Sequence, residues 1–151
     1  MLEKPHGHFS IHWHGQVCVV CLAGTFNQPA TKAMHSALVE SWERTGAPAS
    51  WVHLVDLRAW EGGTPKSFST GKDMAAWTFS HGVSAVIRLH HGAFLPRMVD
   101  RQGVLDASTV PVMDFSEVSQ VLDWLGAQNI ACTGLEHVLA TPDCATDLTN
   151  Q

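Results

Sequence analysis

HLVDLRAWEGGTPKS, residues 53–67, is the stretch on which the reading of the fold turns. It opens inside an apolar run, WVHLVDL, whose valines and leucines suit a buried strand. The run meets an acid at Asp56 and a base at Arg58, passes Trp60 and Gly62-Gly63, and reaches Thr64-Pro65. Thr followed by Pro is a helix-start signal. The hydroxyl caps a free backbone N–H, and proline lacks an N–H that the first turn would leave unpaired. The stretch therefore reads as a strand, a loop and a helix, the junction of an α/β protein. That helix is expected to run to His81-Gly82, although Gly71 and several Ser and Thr residues lower its propensity.

Upstream, HFSIHWH at residues 8–14 alternates in polarity, which predicts a half-buried strand. Phe9, Ile11 and Trp13 face one way, and His8, Ser10, His12 and His14 face the other. His14-Gly15 then signals a turn. QVCVVCLAG resumes as a second strand, apolar enough to be buried on both faces, so the two make an antiparallel hairpin. A helix is expected over residues 28–45, capped by Asn27, with Pro29 in its first turn and Gly46 and Pro48 ending it.

Downstream, VSAVIRLHH predicts a fourth strand and Leu95 to Gln102 a short helix. TVPVMDF is a fifth strand, placed at an edge by Pro111. Ser116 is expected to cap a last main helix, SEVSQVLDWLG. From Ala127 the chain turns polar and irregular, with a short helix near Leu135 to Ala140 and a frayed end. Strands that alternate with helices imply an α/β single domain with a mixed, mostly parallel five-stranded sheet. The domain is expected to occupy residues 1–126, and residues 127–151 to form a C-terminal extension.

Composition bounds the function. The chain has 151 residues, 45% of them hydrophobic and 15% charged, enough for one folded domain. Its formal charge of −5, with scattered Lys and Arg, opposes nucleic acid as a partner. No run approaches the roughly 20 apolar residues of a membrane span, and MLEKPHGHF lacks the apolar core of a signal peptide, so the cytoplasm is the expected compartment. Cys18 and Cys21 have CxxC spacing but lie within VCVVCL, where an odd separation in a strand points them to opposite faces. They read as core thiols, and Cys132 and Cys144 in the polar tail suggest no pair.

Three motifs together carry a family resemblance: GQVCVVCLAGTFN, then LVDLR with the following Thr-Pro, then FSEVSQVLDWL. Over about residues 7–126 the chain resembles the SpoIIAA-like or STAS-like family. The resemblance implies a small α/β sandwich with helices mainly on one face, and roles in regulation and interaction. In the anti-sigma-factor antagonists of that family, a serine at the start of the second main helix is phosphorylated and switches partner binding. A looser branch is similar in topology to lipid-binding CRAL-TRIO domains. This chain departs from the switch pattern. Arg58 follows Asp56-Leu57, Glu61 to Lys66 fill the helix start, and the nearest hydroxyl is Thr64, which the cap requires.

The candidate site residues follow from these elements. Asp56 and Arg58 share a face of an extended segment, as a polar pair at the C-terminal mouth of the sheet or as a loop tie with a solvated partner. Trp60, Phe68, Trp77, Phe79 and Phe94 surround the second helix, as ordinary core or as an apolar groove rimmed by Trp60 and His90. His8, His12 and His14 are weak metal candidates, because HxH spacing can place two imidazoles on one ion but a solvated strand face explains them equally. No nucleophile pattern or phosphate loop occurs.

The expected function is a non-enzymatic, STAS-like regulatory or interaction module without a cofactor. Its partner would be another protein or a second copy of itself, met through Asp56, Arg58, Trp60, Thr64, Phe68, Trp77 and Phe94. The alternative is a carrier or sensor for a small apolar ligand or a membrane surface. The third is a metal-dependent enzyme using the first-strand histidines.

Overall fold

In a computed structural model, residues 3–141 are described. The elements in chain order are β1 (His8–His14), β2 (Val17–Phe26), α1 (Gln28–Arg44), β3 (Trp51–Gly63), α2 (Pro65–Phe79), β4 (Val83–Leu89), α3 (Phe94–Arg101), β5 (Val112–Phe115), α4 (Val118–Ala127) and α5 (Leu135–Val138). The sheet order is β1-β2-β3-β4-β5, with β1 antiparallel to β2 and every other pair parallel.

Each parallel step passes through a helix, and each moves the chain one strand further in the same direction. Crossovers of one hand then lay their helices on one face of the sheet. Met34 and Leu38 of α1 and Phe68 of α2 accordingly pack with Cys18, Val20, Leu22 and Val86 in a single core. The alternate residues of the same strands, Val17, Val19, Leu54, Ile87 and Leu89, point to the opposite face. That face is closed by the end of the chain, where Val121, Leu125, Leu135 and Leu139 are fully buried against it. The result is three layers, with three helices on one face and two on the other. No helix among the described residues is long and apolar enough to cross a membrane.

Local signals fixed most boundaries. The Asn27 side chain accepts from Ala30 N at 3.2 Å, and the same oxygen accepts from His6 N at 2.9 Å, pinning the N-terminal segment to α1. Thr64 caps α2 by accepting from Ser67 N at 3.3 Å, with Pro65 at the first position. α4 differs from expectation. Its cap is Glu117 rather than Ser116, because Gln120 reaches back to accept from Glu117 N at 3.0 Å and completes a capping box. β5 begins at Val112, after Pro111, which has no N–H to give the ladder.

The largest correction concerns the stretch from 53 to 67. Residues 58–63 are not a loop: β3 continues through them to Gly63. Two register shifts against β2 make this length possible. Between Cys21 and Ala23 the partner strand advances from Asp56 to Ala59, and between Gly24 and Thr25 it advances from Trp60 to Gly62. Each shift inserts one extra residue, which is a β-bulge. Gly62 sits at φ 111° in the second, a backbone region where a side chain would be strained. The first bulge reverses the alternation of faces, so Leu57 and Trp60, an odd number of residues apart, both face the α2 side.

Asp56 and Arg58 lie on the other face, and they are not a solvated pair. Arg58 Nε donates to Asp56 Oδ1 at 2.9 Å and Nη2 to Oδ2 at 2.7 Å, with side-chain exposures of 7% and 2%. Arg58 Nη2 also donates to Leu139 O at 2.9 Å. The pair therefore holds the C-terminal segment against the sheet. The hairpin turn grips it elsewhere: Gln16 N donates to Ala131 O at 2.8 Å, and His14 Nδ1 lies 3.1 Å from Thr133 O. The segment passes so close to Gly15, at φ 59°, that a Cβ there would strike Ala131 O.

Cys18 is a buried free thiol, and burial pushes its pKa up. Cys21 is disulfide-bonded, so the expectation of two core thiols holds for Cys18 alone. Cys144 and the chain end expected to fray lie outside the described residues.

The closing layer yields a stability test. Leu135→Ala and Leu139→Ala should each cost about 2–5 kcal/mol in urea denaturation, because each empties a fully buried site. Losses below about 0.5 kcal/mol would mean that residues beyond α4 do not close this face.

Candidate functional site

Between the sheet and α2 lies a cavity of about 120 Å³. Its floor is β2 (Leu22, Phe26), β3 (His53, Val55, Leu57, Trp60) and β4 (Val86, Arg88). Its roof is α2, through Ser67, Phe68, Gly71, Met74, Ala75, Thr78 and Phe79. Those positions recur at spacings of three and four, so they form one stripe along the helix. From Ser67 to Phe79 the stripe spans about 18 Å at 1.5 Å per residue. The cavity therefore lies directly beneath the helix. Thr31 and Met34 of α1 close one side. Val99 of α3, with Val104 and Leu105 of the turn after it, closes the other. The half-exposed lining residues Gly71, Met74, Val99, Val104 and Leu105 mark the mouth between α2 and α3.

Glycine at position 71 matters for this space. A Cβ there would meet Val104 Cγ1 at 3.9 Å, an ordinary contact, so nothing forbids a side chain. Glycine in a helix interior costs roughly 0.5–1 kcal/mol against alanine. Here it leaves the cavity its width.

The wall is apolar except at a few groups, and most of those are spent. The hydroxyls of Thr31, Ser67 and Thr78 donate to Asn27 O at 3.2 Å, Thr64 O at 2.7 Å and Met74 O at 2.9 Å. Arg88 is 6% exposed and fully engaged. Its Nε donates to Asp114 Oδ1 at 2.8 Å, and Nη2 to Asp114 Oδ2 at 2.9 Å and Asp100 Oδ2 at 3.2 Å. Its Nη1 donates to Asp100 Oδ1 at 2.8 Å and Pro96 O at 3.4 Å. Burial opposes the Arg88 charge, but the bonds to Asp100 and Asp114 outweigh it and raise the guanidinium pKa. Burial also works against ionised Asp114, and the bonds from Arg88 and His90 carry it below the usual carboxylate range. The network ties α3 to β4 and β5 and so holds one bank of the mouth.

Two of the lining residues carry a nitrogen with no partner in the protein, shut off from the open space of the cavity. His53 Nε2 and Trp60 Nε1 are buried nitrogens without a hydrogen bond. Buried polar atoms are rarely left so, and each one calls for an explanation. Burial pushes the His53 pKa down to about 4, so its imidazole is neutral near pH 7.

The structure distributes the seven candidate residues unevenly. Trp60 and Phe68 line the cavity, their rings 6.2 Å apart and edge to face. Asp56 and Arg58 lie on the opposite face of the sheet under the C-terminal segment. Trp77 is outside the cavity, in an aromatic cluster with Trp42 at 5.6 Å and His81 stacked at 4.4 Å. Thr64 is exposed at the start of α2, and Phe94 is 70% exposed at the start of α3. The first-strand histidines do not assemble a metal site: among the described residues no group of three or more His, Cys, Asp or Glu could hold an ion. His14 serves instead as an anchor for the C-terminal segment. Sequence reading missed His53 and Arg88. Their signal was a polar residue inside an apolar strand, WVHLV and VIRLH, which a periodicity count passes over.

No family model matches the chain, and no curated protein does. A solved structure does: an uncharacterized protein from the DUF3478 family, from Shewanella loihica PV-4, with a SpoIIAA-like fold. It is 14% identical, with a TM-score of 0.61, covering 83% of this chain and 98% of that one. The fold is SpoIIAA-like. In this SpoIIAA-like domain the α2 start, where the resemblance places a switch serine, carries Thr64 as the helix cap.

The neutral His53 makes this SpoIIAA-like domain sensitive to acid. The unfolded chain binds a proton near pH 6.5 and the folded chain only near pH 4, so stability is complete above 6.5 and falls as pH drops toward 4. The slope from this group approaches about 1.4 kcal/mol per pH unit. Urea midpoints measured between pH 7.5 and 5 should fall, and His53→Phe should flatten that fall. An unchanged slope in the variant would remove His53 as the cause. Asp114 acts in a separate window, below the ordinary carboxylate pKa.

Proposed function

We propose that this domain is a non-enzymatic STAS-like module that binds a small apolar molecule in the cavity beneath α2. The observation that carries the reading is the cavity itself, preformed and apolar beneath α2. Ligand sites have this composition, with a mostly hydrophobic lining and a few polar groups that set orientation. Gly71 supports the reading, since a side chain there would be tolerated by its neighbours and would narrow the space. The wall chemistry supports the non-enzymatic part of the reading. Its three hydroxyls donate to backbone carbonyls, so none stands against a base.

A second reading, docking of a protein partner or a second copy at the start of α2, is favoured by one observation. Phe94, the exposed large hydrophobic residue, sits beside that end of the sheet, where the Leu95 side chain approaches Gly62. Replacement of Phe94 would weaken such an association and leave the cavity intact.

Calorimetric titration with toluene, a hydrocarbon of the right size, distinguishes the two. The heat should saturate at one molecule per chain, and Gly71→Leu should abolish it while the thermal midpoint holds or increases. A signal that never saturates, or that Gly71→Leu leaves unchanged, would overturn the cavity as the binding site.

A further inference from the structure

The chain has four cysteines. Cys18 and Cys132 are free thiols, whereas Cys21 is disulfide-bonded. Neither free thiol is its partner, which leaves Cys144. Cys144 lies beyond the described residues, so elimination and chain reach identify it, not its placement.

Strand parity explains why the CxxC pair does not close on itself. Cys18 and Cys21 both belong to β2 at an odd separation, so their side chains leave opposite faces of the sheet. Cys18 faces α1 and α2 together with Val20 and Leu22. It is fully buried there, and burial pushes its pKa up, which makes it an inert thiol. Cys21 shares the parity of Val17 and Val19 and so faces the C-terminal layer.

Chain reach points the same way. Cys21 is paired with Asp56 of β3, across a strand spacing of about 4.8 Å. Arg58 Nη2 donates both to Asp56 Oδ2 at 2.7 Å and to Leu139 O at 2.9 Å, so those two acceptors lie side by side. The backbone of Leu139 is thereby fixed near Cys21. The residues from 140 to 144 can span up to about 17 Å, and a disulfide needs Cα atoms about 5.5–6 Å apart.

We propose that Cys21 and Cys144 are a reversible redox pair that fastens the chain end across the sheet face opposite the cavity. On closure the two thiols give up two protons and two electrons. A low-molecular-weight disulfide of the oxidised glutathione class takes both and leaves as two thiols. The bond closes a loop of about 120 residues, and a cross-link over so long a loop removes much freedom from the unfolded chain. It holds in an oxidising compartment and opens in a reducing one.

Peptide mapping of the full chain tests the pairing. The protein is equilibrated with excess oxidised glutathione, alkylated with iodoacetamide and digested without reductant. The monomer band of a non-reducing gel should yield linked peptides holding Cys21 and Cys144, with Cys132 alkylated. Reduction with dithiothreitol should lower the thermal midpoint by about 6–15 °C, and return to oxidised glutathione should restore it. Cys144→Ser should show the lower midpoint under both conditions. Cys21 found alkylated after oxidation, or linked to Cys132, to glutathione or to a second chain, would overturn the pair. A linked pair whose reduction leaves the midpoint unchanged would overturn its fastening role. The mapping needs no variant, so it decides the pairing even if Cys144→Ser folds poorly.

Discussion

Crossovers of one hand, taken in one direction from β2 to β5, lay α1, α2 and α3 on the same face of the sheet. The rest of the structure answers to that constraint. The opposite face, with Val17, Val19, Leu54, Ile87 and Leu89 pointing into it, has no crossover helix to cover it. The chain must come back for it, and α4, α5 and the segment between them do so. The buried pair of Asp56 and Arg58 belongs to this closure. A buried ion pair is weak evidence for stability by itself, because desolvation offsets attraction. Here the guanidinium also takes the Leu139 carbonyl, so the pair fixes the backbone of a segment whose Leu135 and Leu139 pack on the same face.

On the crowded face, three helices share five strands, and they do not fill the space between them. α2 lies over β3 and β4 with Gly71 at its centre, and α3 is tied to β4 and β5 by the Arg88 network beside the apolar packing of Leu95, Met98 and Val99. A gap follows between helix and sheet. Most such gaps in proteins are closed by larger side chains, since empty apolar space costs stability in proportion to its volume. This one persists with glycine in its roof, and that observation motivates the proposal of an occupant.

Much of the fold was legible because its signals are local. Asn27 with Pro29, and Thr64 with Pro65, state their helix starts within four residues. The alternation of HFSIHWH states its strand. What escaped was non-local. The continuation of β3 through RAWEGG depends on bulges that break alternation, so the stretch looks like a loop until β2 is laid beside it. The C-terminal segment carries Ile130, Leu135, Val138 and Leu139 in short, irregular pieces whose burial depends on a sheet face formed far away in the sequence. Arg88 is answered by Asp100 and Asp114, 12 and 26 residues away, and only the fold brings them together. Of the aromatic set around α2, Trp60, Phe68 and Phe79 reached the cavity while Trp77 did not, a difference of helix face that the sequence shows and of bulge parity that it hides.

The central claim is that the space beneath α2 is where a ligand sits, and methyl NMR tests it most directly. Met34 and Met74 line the cavity, whereas Met113 packs on the opposite face of the sheet. On titration with 1-octanol, the Met34 and Met74 ε-methyl resonances should shift and saturate and show contacts to the alkyl protons, with Met113 unmoved. Shifts confined to Met113, or uniform across all three methyls, would contradict the account.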